Sequence, residues 1–268
     1  MSTAKISLHC NSIDQILNGG IATRSITEVC GENASGKTQL CLQAVMCAQL
    51  PPRLGGLYCG SIYLNTSGPF PSTRASTLAI KCRTIYDSNE NPLDNIIVKQ
   101  VNSPEEMIVV LDNLKTLMEN SLLTTRPIRL LVLDSITALC RSYFSTNDIT
   151  ARSTFLRKVN TTLNELANQY NSAIIITNEV TDVVGSSVRG TRGHVHQVQS
   201  SGRMVQPSLG MYWTGLINIR IFLTKEDTDG RTRREARVVL SSTLPLRRAE
   251  FAIGPLGLFC NIQTVRIY

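Results

Sequence analysis

The sequence predicts an α/β protein, with a mainly parallel central sheet flanked by helices and an antiparallel extension toward the C-terminus. Three observations carry that prediction. Gly31-Glu32-Asn33-Ala34-Ser35-Gly36-Lys37-Thr38 is a complete G-x-x-x-x-G-K-T phosphate loop, set between a strand-like run and a helix-forming run. Apolar runs without alternation recur between helical stretches, the pattern of strands covered on both faces of a parallel sheet. The last third instead alternates apolar and polar residues around turn signals, as hairpins do.

The elements follow in order. Ser25 to Cys30 reads as the strand before the loop. Gln39 to Met46, rich in helix formers and free of Gly and Pro, reads as the helix after it. Gly60 to Asn65 and Asn95 to Val101 are the next strands. Ser103 is an N-cap, Pro104 suits the first helical position and Glu106 completes a capping box, with Ile108, Leu111, Leu114 and Leu117 as the apolar face. Ile128 to Asp134 and Ala173 to Thr177 are buried strands. Between them Leu156, Val159, Leu163, Leu166 and Tyr170 mark one face of a helix over 148–170. Ile217 to Leu223 and Ala236 to Leu240 form a hairpin through Asp229-Gly230, and Phe251 to Ile253 and Gly257 to Cys260 add short strands at the sheet edge.

The chain has 268 residues, 42% of them hydrophobic, with mean hydropathy near zero, and no linker or repeat divides it. One domain over 1–268 is expected. No stretch approaches the ~18 apolar residues of a membrane span, and Met1 to Ser7 has no apolar run of signal-peptide length. An intracellular protein without membrane contact is expected. Eight cysteines are scattered without a C-x-x-C pair, so buried free thiols are expected. His194 and His196 have no third ligand nearby and read as part of a solvated loop. A net charge of +7 suggests a polyanionic partner. The cations fall in two groups: Arg189, Arg192 and Arg203, and then Arg231, Arg233, Arg234, Arg237, Arg247 and Arg248. The second group also fits a surface kept soluble by charge.

Backbone N–H groups of a phosphate loop and the helix it opens form a nest for phosphate oxygens. Residues Gly31 to Thr38 are therefore expected to bind ATP, with Lys37 on the β/γ-phosphates and the Thr38 hydroxyl on Mg²⁺. Asp134, closing its apolar strand about a hundred residues later, is expected to hold the Mg²⁺ through water.

Ile26-Thr27-Glu28 before Gly31, Gly36-Lys37-Thr38-Gln39-Leu40, the stretch Tyr63 to Phe70, Leu133-Asp134-Ser135, Thr177-Asn178 and Leu244-Pro245 occur in the order typical of RecA-like recombinases of eukaryotes. The chain resembles that family over nearly its whole length. It is most similar to recombinase paralogues of the X-ray repair cross-complementing group-three type, on Gly19-Gly20, Gly55-Gly56, Phe70-Pro71, Pro207 to Gly210 and Trp213, with the sister C-form paralogues as the competing assignment. The resemblance implies a nuclear DNA repair protein of homologous recombination, found in part in the cytoplasm. It would bind ATP and Mg²⁺ and act on single-stranded DNA or with partner recombinases.

The departures from the family pattern carry expectations of their own. The family's water-activating Glu is replaced by Ser67, a poor base at neutral pH, and Asn65 stands where Asp is common. Slow or absent hydrolysis is expected, with active DNA-dependent ATPase and strand exchange as the alternative. Glu179 replaces the family's γ-phosphate-sensing Gln and is the one remaining candidate catalytic group. Two loops correspond to the family's DNA-contacting elements: Ser142 to Arg152, carrying Arg152, and Thr181 to about Gln206, carrying Arg189, Arg192 and Arg203. Pro245 of the Leu-Pro element is expected to cap a neighbouring subunit's ATP. The chain starts at the core, without the family's N-terminal helical domain or its Phe-x-x-Ala linker, so a hetero-oligomer with a recombinase or recombinase paralogue is expected. A small-molecule kinase and a scaffold with a vestigial phosphate loop are the readings from other classes.

Overall fold

The computed structural model describes residues 3–86, 90–145, 147–183, 197–228 and 231–260. Its strands are β1 (Lys5–Ile6), β2 (Ile21–Ala22), β3 (Ser25–Gly31), β4 (Gly60–Asn65), β5 (Ile96–Gln100), β6 (Ile128–Asp134) and β7 (Ala173–Asn178), followed by β8 (Val180–Asp182), β9 (Val198–Ser200), β10 (Arg203–Pro207), β11 (Ile219–Thr228), β12 (Arg231–Ser241), β13 (Arg248–Gly254) and β14 (Gly257–Phe259). The helices are α1 (Asn11–Ile16), α2 (Lys37–Ala48), α3 (Ser72–Tyr86), α4 (Pro104–Ser121), α5 (Ile136–Tyr143), α6 (Ile149–Gln169) and α7 (Gly210–Thr214).

Nine strands form one sheet in the order β14-β13-β12-β11-β3-β7-β6-β4-β5. From β11 to β5 every neighbouring pair is parallel, and β12, β13 and β14 extend the sheet antiparallel. The expected hairpin is present, with Thr228 opposite Arg231, but its first strand runs on beyond Leu223 and joins the parallel sheet beside β3. Its turn signal, Asp229-Gly230, lies outside the described residues.

Both faces of the sheet are covered. Leu130, Val132 and Ile175 pack with α2, while Leu131, Leu133 and Ile176 pack with α4, α5 and α6. That two-sided burial is why these strands show no alternation. The predicted face of α6 is buried from Leu156 to Tyr170. On α4 the buried line is Met107, Leu111, Leu114 and Met118, with Leu117 turned toward solvent. The Ser103 hydroxyl accepts the Glu106 N–H at 3.1 Å, while the Glu106 carboxylate accepts from the Asn102 N–H at 2.8 Å. Seven of the eight cysteines are buried and all eight are free, and burial pushes the Cys59 thiol up to about 12.

Among the described residues, both expected loops include regular elements. Residues 142–143 end α5 and residues 149–152 begin α6. Residues 180–207 supply the three-stranded sheet β8-β10-β9, which packs Val198 and Val205 on Cys30 and Phe222. The intervening residues 184–196, with Arg189, Arg192, His194 and His196, lie outside the described residues.

Candidate nucleotide site

Parallel connections bring the C-terminal ends of β3, β7, β6 and β4 to one edge of the sheet, where ligands of open α/β sheets bind. Cys30 stands beside Asn178 and Asn65 beside Asp134 in the ladder. The phosphate loop leaves β3 there under tight packing. A Cβ on Gly31 would sit 2.5 Å from the Leu223 carbonyl oxygen and 2.6 Å from the Ser35 hydroxyl. Gly36 has φ +116°, a conformation open to glycine, and forms the N-cap of α2.

Lys37 is buried and curls back over the loop, donating to the carbonyls of Gly31 at 2.8 Å and Glu32 at 2.9 Å. Burial holds its ammonium below the usual lysine range, opposed by the negative groups Asp134 and Glu179. The Thr38 hydroxyl donates to Asp134 Oδ2 at 2.8 Å. Asp134 also accepts from the Tyr63 hydroxyl at 2.6 Å and from the Thr177 hydroxyl at 2.5 Å. Three O–H donors fix this carboxylate beside Thr38, an arrangement of hard oxygens that suits Mg²⁺ carried by a nucleotide. Among the described residues no group of three or more His, Cys, Asp or Glu lies close enough to hold a metal by itself.

A cleft of roughly 520 Å³ opens along the loop. Lys37, Thr38, Asp134, Ser67 and Glu179 line one part, and Arg74, Arg234 and Ile253 to Pro255 line the rest. Ser67 is an exposed hydroxyl in this wall, and the Asn65 amide is turned away, donating to the Gly68 carbonyl at 2.6 Å and to Gln100 at 3.0 Å. Glu179 reaches the cleft with its carboxylate in an ion pair to Arg141. Arg74 donates to Gln39 at 2.7 Å and to the carbonyls of Gly254 and Pro255 at 2.6 and 2.8 Å, lashing the β13–β14 turn over the cleft. Arg234 donates to the Ala34 carbonyl at 3.4 Å, and its buried Nε has no partner among the described residues.

Sequence reading did not give Tyr63, Arg74 or the Gly254–Pro255 turn a place in the site. Tyr63 looks like any core residue of a buried strand, and the turn reaches the loop only because β14 packs on α2, and α3 side chains bond the turn's carbonyls. Pro245 lies exposed in the β12–β13 connection and does not line this chain's own cleft.

Several cations expected on nucleic acid are engaged within the chain. Arg152 donates to the Ser208 carbonyl at 3.0 Å, and Arg141 donates to the Ser208 hydroxyl at 2.9 Å, so together they hold the start of α7. Arg203 pairs with Glu32 and Asp182, each at 2.8 Å. In the C-terminal group, Arg233 pairs with Glu250 and Arg237 with Glu235, which leaves less free positive charge than the composition implies.

The sequence matches the Rad51 family over residues 1–259. It is 35% identical over 289 residues to a DNA repair protein XRCC3 homolog of Arabidopsis thaliana, covering 97% of this chain and 93% of that protein. It is 31% identical over 268 residues to the DNA repair protein XRCC3 of Mus musculus, covering 95% and 74% of the two chains. It is 33% identical over 269 residues to the DNA repair and recombination protein RadA of Ignicoccus hospitalis, covering 96% and 73%. With its phosphate loop, its Asp134 and the parallel sheet that joins them, the chain belongs to the Rad51 family.

Proposed function

We propose that this chain is an ATP-binding recombinase paralogue that serves DNA repair by homologous recombination and holds ATP and Mg²⁺ as a binding or switching ligand, with little turnover. The Thr38–Asp134 contact beside the curled Lys37 carries the binding half of this reading. Lys37 and the loop N–H groups would hold the phosphates, and Thr38 and Asp134 the Mg²⁺, which shields phosphate charge when bound. The exposed Ser67 hydroxyl carries the other half, because the cleft wall holds no free carboxylate there to take a proton from water. Asp134 is held by three hydroxyls, and Glu179, the other carboxylate lining the cleft, is directed elsewhere by its ion pair with Arg141. A second reading, turnover through Glu179, rests on its place in the same cleft.

Strand β5 supports a partner surface. It ends the sheet, its outer edge pairs with no strand among the described residues, and Ile97 and Val98 are each 43% exposed on opposite faces. An extended segment of a recombinase or paralogue subunit would add there as a further strand. Pro245, in the exposed β12–β13 connection, would cap the nucleotide of a neighbouring subunit. Single-stranded DNA would be met through the segment carrying Arg189 and Arg192. No helix among the described residues is long and apolar enough to cross a membrane. A role in DNA repair would be carried out in the nucleus.

ATP turnover by the purified chain, with and without single-stranded DNA and beside Ser67→Glu, tests the reading. The natural protein is expected to bind ATP and release little phosphate, and the variant to gain turnover. DNA-stimulated turnover in the natural protein that Glu179→Gln abolishes would replace it with the second reading.

A further inference from the structure

Glu32, the second residue of the phosphate loop, is 4% exposed, and its carboxylate does not face the nucleotide cleft. Oε2 accepts from the Ser201 hydroxyl at 2.6 Å and the Ser200 hydroxyl at 3.1 Å. Oε1 accepts from Arg203 Nε at 3.0 Å and lies 2.8 Å from Arg203 Nη2. The remaining guanidinium nitrogen, Nη1, meets both oxygens of Asp182, at 2.8 and 3.0 Å. The turn that carries Ser200 and Ser201 is in turn tied to β11, the Ser201 N–H donating to the Lys225 carbonyl at 2.9 Å.

Two consequences follow from this arrangement. All three guanidinium nitrogens face two carboxylates, so the cluster carries a net charge of about −1 by simple counting, and a nucleic-acid phosphate would have to displace an existing ion pair. The backbone carbonyl of the same Glu32 accepts from Lys37 Nζ at 2.9 Å. The residue braced by Arg203 is thus one of the two that hold the Lys37 side chain, and a site of this kind depends on rigid support for its contacting groups.

We propose that Arg203 is a positioning residue of the nucleotide site, bracing the phosphate loop through Glu32, and that it is not a contact to nucleic acid. The inference rests on the reading of residues 31–38 as the ATP site. It reverses the role that the charge pattern suggests for Arg203.

The test uses the full chain with a slowly hydrolysed ATP analogue, AMP, and oligothymidylate titrated at several salt concentrations. Arg203→Met is expected to weaken the ATP analogue about tenfold and leave AMP affinity unchanged, since the loop grips the outer phosphates. Arg203→Lys, which keeps the charge but not the fork, is expected to fall between. The slope of log K for oligothymidylate against log salt is expected to stay the same. Unchanged affinity for the ATP analogue, or a slope reduced by about 0.7, the loss of one phosphate contact to a single strand, would overturn the proposal. If Arg203→Met does not fold, Arg203→Lys and Glu32→Gln decide by the same ratio of ATP-analogue to AMP affinity. If oligothymidylate binds too weakly to give a slope, the nucleotide arm decides alone. Lys37→Ala is the control: natural affinity for the ATP analogue in that variant would remove the nucleotide site itself, whatever Arg203 does.

Discussion

Arg220 shows how a single residue can be placed against its sequence pattern. Alternation along residues 217–223 assigns it to a polar face, yet it is fully buried and ion-paired to the fully buried Glu28. Glu28 also accepts from Asn178 at 2.7 Å and from the Trp213 indole at 2.9 Å. Removing one member of a buried pair strands the other charge, so Arg220→Met is expected to cost about 3–5 kcal/mol in urea denaturation. Glu32 makes a pH-dependent contribution. Burial acts to raise its carboxyl, but hydrogen bonds from Ser201, Arg203 and Ser200 prevail and hold it below the ordinary 4.5. A depressed carboxylate stabilises the folded state above that value, and the contribution is lost as pH falls through the lower folded-state value. Glu32→Gln is therefore expected to be less stable than the natural protein by about 1.5–3 kcal/mol near neutral pH. The gap should close below pH 4.5, and denaturation at several pH values reads it.

Among the elements, the two long helices differ in how well periodicity located their buried faces. On α6 the spacings of 3 and 4 alternate, the stripe stays on one side, and Leu163 is fully buried. On α4 the chosen positions 108, 111, 114 and 117 are each three apart, a spacing that drifts about 60° per step around a 3.6-residue helix. The structure takes the 4-3-4 line from Met107 to Met118 instead, leaving Leu117 36% exposed. Leu163→Ala is expected to cost about 2–5 kcal/mol. Leu117→Ala should stay within about 0.5 kcal/mol. Chemical denaturation of both variants checks the assignment. Strand β5 was legible as a strand but not as an edge, because strand order depends on which segments pair across the sheet.

For the whole molecule, the strand order separates the β5 edge, the surface proposed for a partner, from the cleft proposed for the nucleotide. Strand β5 closes one margin of the sheet and β14 the other, and the phosphate loop leaves β3 between them. A substitution at the β5 edge is therefore expected to leave the nucleotide site alone. Val98→Pro, which removes a donor from the free edge, is expected to abolish co-purification with a recombinase partner while ATP affinity stays within a factor of about two. Retained association would place the partner elsewhere. The composition's +7 also reads differently at this scale. Arg141, Arg152, Arg203, Arg233 and Arg237 are bonded within the chain, so the cations available to a polyanion are fewer than the count suggests.

The sequence by itself determined the class of the fold and the family, and it singled out residues 31–38 and Asp134 as the proposed nucleotide site, because each rests on local chemistry: a fixed loop spacing, a strand ending in a carboxylate, helical and strand periods. The tertiary structure alone decided that Tyr63 and Thr177 hold Asp134, that Arg74 ties down the turn over the cleft, and that Arg203 reaches Glu32. Those contacts join residues from 43 to 181 positions apart in the chain. No local pattern records such pairings, since they exist only once the sheet has set its order and register.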